Sequence, residues 1–507
     1  MSTLQPLDWA ICIAYLLVVL GIGSWFAREQ ETNEEYFVGG RRMNWFPIGL
    51  SIFASVFSSL SFVGLPREGA YADYHLMLSI LFIPLIVTPI ACWIFIPLYH
   101  RLQSISVYEY LERRFHRSIR LVGSVLFSLY NIGWIGTMLV AVGVILQAVL
   151  GLSEVQLTWT LVGVGVFATF YTTIGGVKAV VWTDVLQTFV LGGGMLAVLL
   201  MAVARIDGGW GTVLDLGVRY DKFQMFNLNA DLTSTTKTFF SACAYGGFVY
   251  MASYTVNQGS AQRYVAMPSV AASRRALLVN AALSGGICLL FFMVGSVLFA
   301  FYHQSLPADA AAGSGFPDLP KEDQLVPHFV LNELPRVGLT GLLLAGLFAA
   351  AMSSVDSGIN NVTALIVYDW MRGRNVSVKA SRVICSSLGV LVILAALFIR
   401  QWEGPVFDKI IAIAGTFFGL LMGVFFLGVF LRRASTVAAT AGMVCGVATV
   451  LYVILGTDVN KQFYGFFGFA PTFIVGVIAS SLTPPPPETK TRGLVVGSLR
   501  HPWNDAE

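Results

Sequence analysis

An all-α protein that crosses a lipid bilayer about thirteen times is the fold class this sequence predicts, and three observations predict it. The chain is 56% hydrophobic and only 12% charged, where a water-soluble domain carries about 25% charged residues. Its mean hydropathy is +0.73. Apolar runs of about 20 residues recur along the whole length, which is the helical rather than the barrel signal. A net charge of +3 is too small to point to nucleic acid.

The segments lie near residues 7–27, 44–65, 75–99, 120–150, 155–174, 178–204, 236–258, 276–302, 338–370, 380–400, 407–431, 435–456 and 462–482. The first is read as a retained helix. No positive residue precedes it and no A-x-A site ends it, so it is not a cleaved signal. The second, "GLSIFASVFSSLSFVGLPREGAY", has a hydroxyl-rich, non-periodic middle and a proline. The seventh, "AYGGFVYMASYTVNQG", opens on glycines and ends in polar residues. Lying five segments apart, these two would enter the membrane from opposite sides. Paired interrupted helices of this kind point to a transporter's binding site. Fifty glycines in 507 residues exceed the roughly 7% average and suit close helix packing in lipid.

Loop charge orients the chain. With the N-terminus outside, about 21 of the 31 Lys and Arg residues fall on the cytoplasmic side. The densest clusters are Arg101 to Arg120, Arg263 to Arg275, and Arg372 to Arg382. N-out, C-in is therefore expected, with loops 205–236 and 303–336 outside. Residues 1–483 then form one membrane domain with a core at about 44–431, and 484–507 is expected to be a flexible cytoplasmic tail. The six cysteines each fall alone in or beside an apolar run. No CxxC or Cys/His pairing appears, so they read as small core residues.

One apolar stretch carries too many polar groups for its setting. "AAAMSSVDSGINN", residues 349–361, puts Ala350, Ser353, Ser354 and Ser357 on one helical face. A packing seam of small residues explains the hydroxyls. It does not explain Asp356, because a carboxylate at helix centre costs about 2.5–3.5 kcal/mol even on the lenient scale. Asp184, in "GGVKAVVWTDVLQ", lies roughly 10 Å from the cytoplasmic end of its segment, and Asp356 lies roughly 27 Å down from the outside. Two acids and several hydroxyls at similar depth, with no buried Lys or Arg evident nearby, describe a hard-cation site. For Asp184 alone, a hydrogen bond near the helix entry or a pair with a loop arginine is the competing reading.

Taken in order, "YFVGGRRMNWFPIGLSIFAS", "SVYEYLERRF", "YTTIGGVKAVVWTDVLQ", "VNQGSAQRY" and "AAAMSSVDSGINN" make the chain resemble the sodium:solute symporter family over roughly residues 8–480. That family includes sugar, iodide, monocarboxylate, vitamin, proline and sialic acid carriers. The resemblance implies a five-plus-five inverted-repeat core with unwound first and sixth core helices. It implies a Na⁺ site made by carbonyls of Ala54, Phe57 and Ala350 and hydroxyls of Ser353 and Ser354. In the sialic acid branch a second ion lies deeper, at positions matching Asp184, Asp356 and Ser357. Asp356 departs from that branch's serine, leaving a second Na⁺, a proton, or a purely structural acid open. The substrate cavity would be lined by Ser58 and Ser61, with Trp134, Phe248, Tyr250, Tyr254 and Phe417. Core packing is an equally good reading of each aromatic. Trp134 stands where sialic acid carriers have an arginine, which argues against sialic acid.

The functional expectation is a Na⁺-coupled secondary transporter of a small polar organic solute in the cell membrane, multi-pass, with no obligate protein partner. A proton-coupled carrier on the same fold and a solute-sensing receptor are the alternatives. An enzyme is not expected, since no nucleophile–base pair, metal-binding His cluster or phosphate loop appears.

Overall fold

The computed structural model of the protein describes residues 5–26, 30–57, 59–233, 237–307, 309–319, 321–334, 338–402 and 406–499. The secondary structure assigned among them is helical. Helix α1 (Pro6–Phe26) is followed by α2 (Trp45–Val56) and α3 (Ser59–Tyr71). Next come α4 (His75–Leu102), the short α5 (Glu109–Arg114), α6 (Arg117–Leu150) and α7 (Glu154–Val203). After α8 (Trp210–Arg219), α9 (239–255) and the short α10 (Gln258–Val265) lead into α11 (Val270–His303) and α12 (Leu325–Asn332). The chain continues through α13 (Leu339–Leu365), α14 (Val378–Ile399), α15 (Val406–Phe430), α16 (Thr436–Gly456) and α17 (Tyr464–Leu482).

Ten helices among the described residues are long and apolar enough to cross a bilayer, eleven when α2 and α3 count as one bent span. The 50-residue α7 occupies two of the expected segments. Its break is at Gly176, with φ 57° and ψ −167°. Only glycine tolerates that backbone, and a Cβ there would lie 2.7 Å from the Gln30 amide. The seventh expected segment is also subdivided. It comprises Phe239–Ala244, a π turn over Tyr245–Tyr250, and Met251–Thr255; beyond Val256 and Asn257 the chain restarts as α10.

Hydrophobicity is distributed as lipid requires. Trp25, Leu85, Trp93, Trp159 and Leu455 present their side chains outward, which only an apolar solvent accommodates over so large an area. Inside, α7 packs against α13 and α2, while α11 packs along both α2 and α3. These helices bury polar side chains among them, including Ser51, Asp184, Asn280, Ser353 and Asp356.

One end of the helix bundle is tied by charge. Arg120, at the start of α6, donates to Asp369 (2.6 Å) beyond α13 and to Glu112 (2.8 Å) on α5. Where a flexible tail was expected, residues 488–499 make specific contacts. Tyr110 Oη donates to the Leu494 carbonyl (3.1 Å), Lys490 Nζ to the Glu112 carbonyl (3.1 Å), and Leu494 and Val495 are buried.

Candidate ion and solute site

Helix α2 ends abruptly. Phe57 takes extended angles (φ −90°, ψ 100°), and the helices on either side of the break are bent by 60°. The last carbonyls of a helix have no intrahelical partner, and the negative end of the helix dipole gathers there. Phe53 O still accepts the Phe57 N–H (2.9 Å). Ala54 O is free to face α13. Ser353 Oγ lies 3.1 Å from Ala54 O and 3.0 Å from Ala350 O, so one hydroxyl bridges carbonyls of two helices. Beside it, Ser354 Oγ is buried with no hydrogen-bond partner among the described residues.

These oxygens fit Na⁺. The donor set is neutral carbonyls and hydroxyls, which suit a hard monovalent ion. With Na⁺ bound, the Ser353 hydroxyl would keep its proton, turn it away from the carbonyls and offer its oxygen as a ligand. The orphaned Ser354 oxygen would gain a partner. Of the five expected ligands, the structure thus brings Ala54, Ala350 and Ser353 together, with Ser354 next in sequence on α13 and lining the adjoining cavity. Phe57 stands at the break, buried, with its ring stacked on Phe53 (4.6 Å between centroids).

The deeper cluster corrects one expectation. Asp184 and Asp356 are both fully buried, but a buried cation accompanies them: Arg263, only 3% exposed. Arg263 Nη2 approaches Asp184 Oδ2 (3.3 Å) and donates to Ser357 Oγ (2.7 Å), Nε donates to Ser51 Oγ (2.8 Å), and Nη1 to Gly259 O (3.2 Å). Ser51 Oγ in turn donates to Asp184 Oδ2 (2.5 Å). Asp356 accepts from Tyr171 Oη (2.7 Å) and makes no ion pair among the described residues. Asp184 Oδ1 has no hydrogen-bond partner among them. Asp184 therefore faces the guanidinium with one carboxylate oxygen still open, while Asp356 is held by Tyr171 and by the Ser357 N–H.

Arg263 was grouped with cytoplasmic charge because α10 is too short to read as a membrane helix. The structure caps α10 with Asn257 (Oδ1 to Gly259 N, 2.7 Å) and buries all eight of its residues. Gln258 and Gln262 fix the helix through the carbonyls of Ile105 (2.7 Å) and Phe37 (2.5 Å), which aims Arg263 inward. The competing reading of Asp184, a pair with a loop arginine, is the one the structure shows, although the sequence did not say which arginine.

A polar cavity of about 40 Å³ adjoins both clusters. Its walls include Ser55, Asn131, Trp134, Asn257, Ser354 and Asn361. Of the expected substrate contacts among the described residues, Trp134 lines it. Tyr254 is fully buried and reaches Asn280 (3.3 Å), Tyr250 packs on Tyr245, and Phe248 packs on Phe466 and Phe469. These aromatics are held by helix packing. Phe417 is partly buried against the core and Ser61 sits partly exposed in α3. Ser58 lies outside the described residues.

A broken helix whose free carbonyls meet serine hydroxyls of a second helix, buried within a lipid-facing shell, defines a cation-coupled membrane carrier. The comparisons give the family. The model of the sodium:solute symporter family matches residues 36–446, and the chain belongs to that family. It is 31% identical to the sodium/sialic acid symporter NanT of Aliivibrio fischeri, over 94% of this chain and 93% of that protein. It is 33% identical to the human sodium/iodide cotransporter, over 89% of this chain and 70% of the relative. The human sodium-coupled monocarboxylate transporter 1 is 31% identical over 89% and 74%. A solved structure of a Na⁺-coupled sialic acid symporter, substrate-bound and outward-open, superposes with a TM-score of 0.85 at 29% identity, covering 95% of this chain and 99% of that one. The protein is a membrane transporter, not an enzyme, and works as a Na⁺-coupled symporter by alternating access.

Proposed function

We propose that the protein imports a small polar organic solute with Na⁺ across the cell membrane, bound at the oxygens of Ala54, Phe57, Ala350, Ser353 and Ser354. The observation that carries this reading is the Ser353 hydroxyl shared between the Ala54 and Ala350 carbonyls across the break. An ion there joins α2 to α13, so its binding energy is available only to the conformation that holds the two together. The wider architecture we propose has thirteen spans, N-terminus outside and C-terminus inside, in one membrane domain over 1–483. Its five-plus-five inverted core places the α2–α3 and α9–α10 breaks in its first and sixth helices. No obligate protein partner is needed in this scheme. The open Asp184 oxygen, with Asp356 and Ser357, is our candidate for a second cation position, beside the guanidinium already there.

The test is uptake into proteoliposomes under an imposed Na⁺ gradient, across a solute panel. Ser353→Ala removes one ligand oxygen. It should weaken apparent Na⁺ affinity about ten- to a hundredfold, the equivalent of about 1.5–3 kcal/mol for a polar contact to a charge. Uptake indifferent to Na⁺ but driven by a pH gradient would replace the reading with proton coupling. Unchanged Na⁺ dependence in Ser353→Ala would move the ion elsewhere.

A further inference from the structure

We propose that the solute recognised at the inner cavity is electrically neutral and presents paired hydrogen-bond donors and acceptors, as an amide, a ureide or a polyol does. The inference rests on the Na⁺-site reading above and extends it to the cargo.

Three asparagines from three parts of the fold meet at this cavity: Asn131 of α6, Asn257 between α9 and α10, and Asn361 of α13. Each retains unused capacity. Asn131 donates to Gly358 O (2.7 Å), but its side-chain oxygen accepts nothing among the described residues. Asn257 uses its oxygen on the Gly259 N–H, and its amide nitrogen makes no bond among them. Asn361 is only 7% exposed and its amide makes no hydrogen bond among the described residues. That amide borders the open space of the cavity, where a solute can reach it. Gly259 makes room for it, since a Cβ at that position would sit 2.4 Å from Asn361 Nδ2. The indole of Trp134, beside the Tyr130 ring, supplies an apolar wall. A volume of about 40 Å³ admits one polar functional group or a few waters.

Charge decides the class. The charged side chain on the cavity wall among the described residues is Arg263, and it is already engaged by Asp184, Ser51, Ser357 and Gly259. An anion entering the cavity would therefore meet no unengaged cationic side chain among the described residues, and a buried charge without a partner is costly. A neutral solute satisfies the three amides and brings no such charge. The cargo named for the relatives, sialic acid, iodide and monocarboxylates, is anionic, so the cavity sets this protein apart from them.

The test is thermal unfolding of the full-length protein in lipid nanodiscs, in Na⁺ or K⁺ buffer. The neutral probes are N-acetylglucosamine, myo-inositol and allantoin, and the anionic ones N-acetylneuraminate, pyruvate and iodide. At least one neutral probe should raise the midpoint in Na⁺ and not in K⁺, and Asn361→Ala should weaken its apparent affinity tenfold or more. Gly259→Ala, which crowds the same amide without removing it, should weaken the same probe and serves if Asn361→Ala fails to fold. The proposal is overturned if no neutral probe shifts the midpoint, or if an anionic probe shifts it in Na⁺ and loses the shift in these variants. Stabilisation by Na⁺ alone, abolished by Ser353→Ala, reports the ion site independently. Its absence would sink the Na⁺ reading, whereas its presence without a neutral-probe response would sink only the solute class.

Discussion

Arg263 is the residue on which the polar interior turns. Its guanidinium offsets the Asp184 charge and orders Ser51 and Ser357 around it. Removing one partner of a buried ion pair strands the other, which costs about 3–5 kcal/mol. Arg263→Met is therefore expected to lower the thermal midpoint strongly, and Asp184→Asn in the same chain should restore most of the loss, because neither charge is then left alone. Additive losses in the double variant would show that the two side chains act independently. Ser353, Ser354 and Ala350 could be marked from motif and helical spacing. Arg263 could not, because its partners are 79 to 212 residues away and its helix is eight residues long. Local periodicity carries no information about such pairings.

Among the elements, the broken helices are the functional ones, and each break has a local cause. The α2–α3 bend follows a segment without clean periodicity, which is why it could be expected from the sequence. The break in α7 rests on one residue. Gly176→Ala would place a side chain at φ 57° against the Gln30 amide, a conformation costing on the order of 1–3 kcal/mol. Gly163→Ala in the same helix meets nothing within 4 Å and is expected to be neutral or stabilising by about 0.5–1 kcal/mol. Thermal midpoints of the two variants, measured side by side, separate backbone strain from a general intolerance of substitution. An equal response from both would remove Gly176 from its assigned role. The glycine pair "IGG" was visible in the sequence, but a positive φ at the second glycine is set by how the halves of α7 pack against α1 and Gln30.

For the whole molecule, the C-terminal segment reports how far folding extends beyond the membrane. Leu494 and Val495 are buried, and Tyr110 Oη bonds to a carbonyl 384 residues away. Burying an aliphatic side chain is worth about 1.5–3 kcal/mol, so deleting residues 484–507 is expected to lower the thermal midpoint by several degrees. A midpoint that does not move would make the segment an appendage. Composition and segment length determined by themselves that this chain is a helical membrane protein, because hydrocarbon tolerates few other solutions for a backbone that must satisfy its own hydrogen bonds. The ordered motifs carried the family and the residues of the proposed first ion site, because these lie within one helical turn or at one break. What only the tertiary structure decided is the company the buried acids keep. Arg263 with Asn257 at α10, Tyr171 of α7, Asn131 of α6 and Asn361 of α13 are far apart in sequence, and a charge or amide in low dielectric is governed by whatever side chain folding brings within hydrogen-bonding distance.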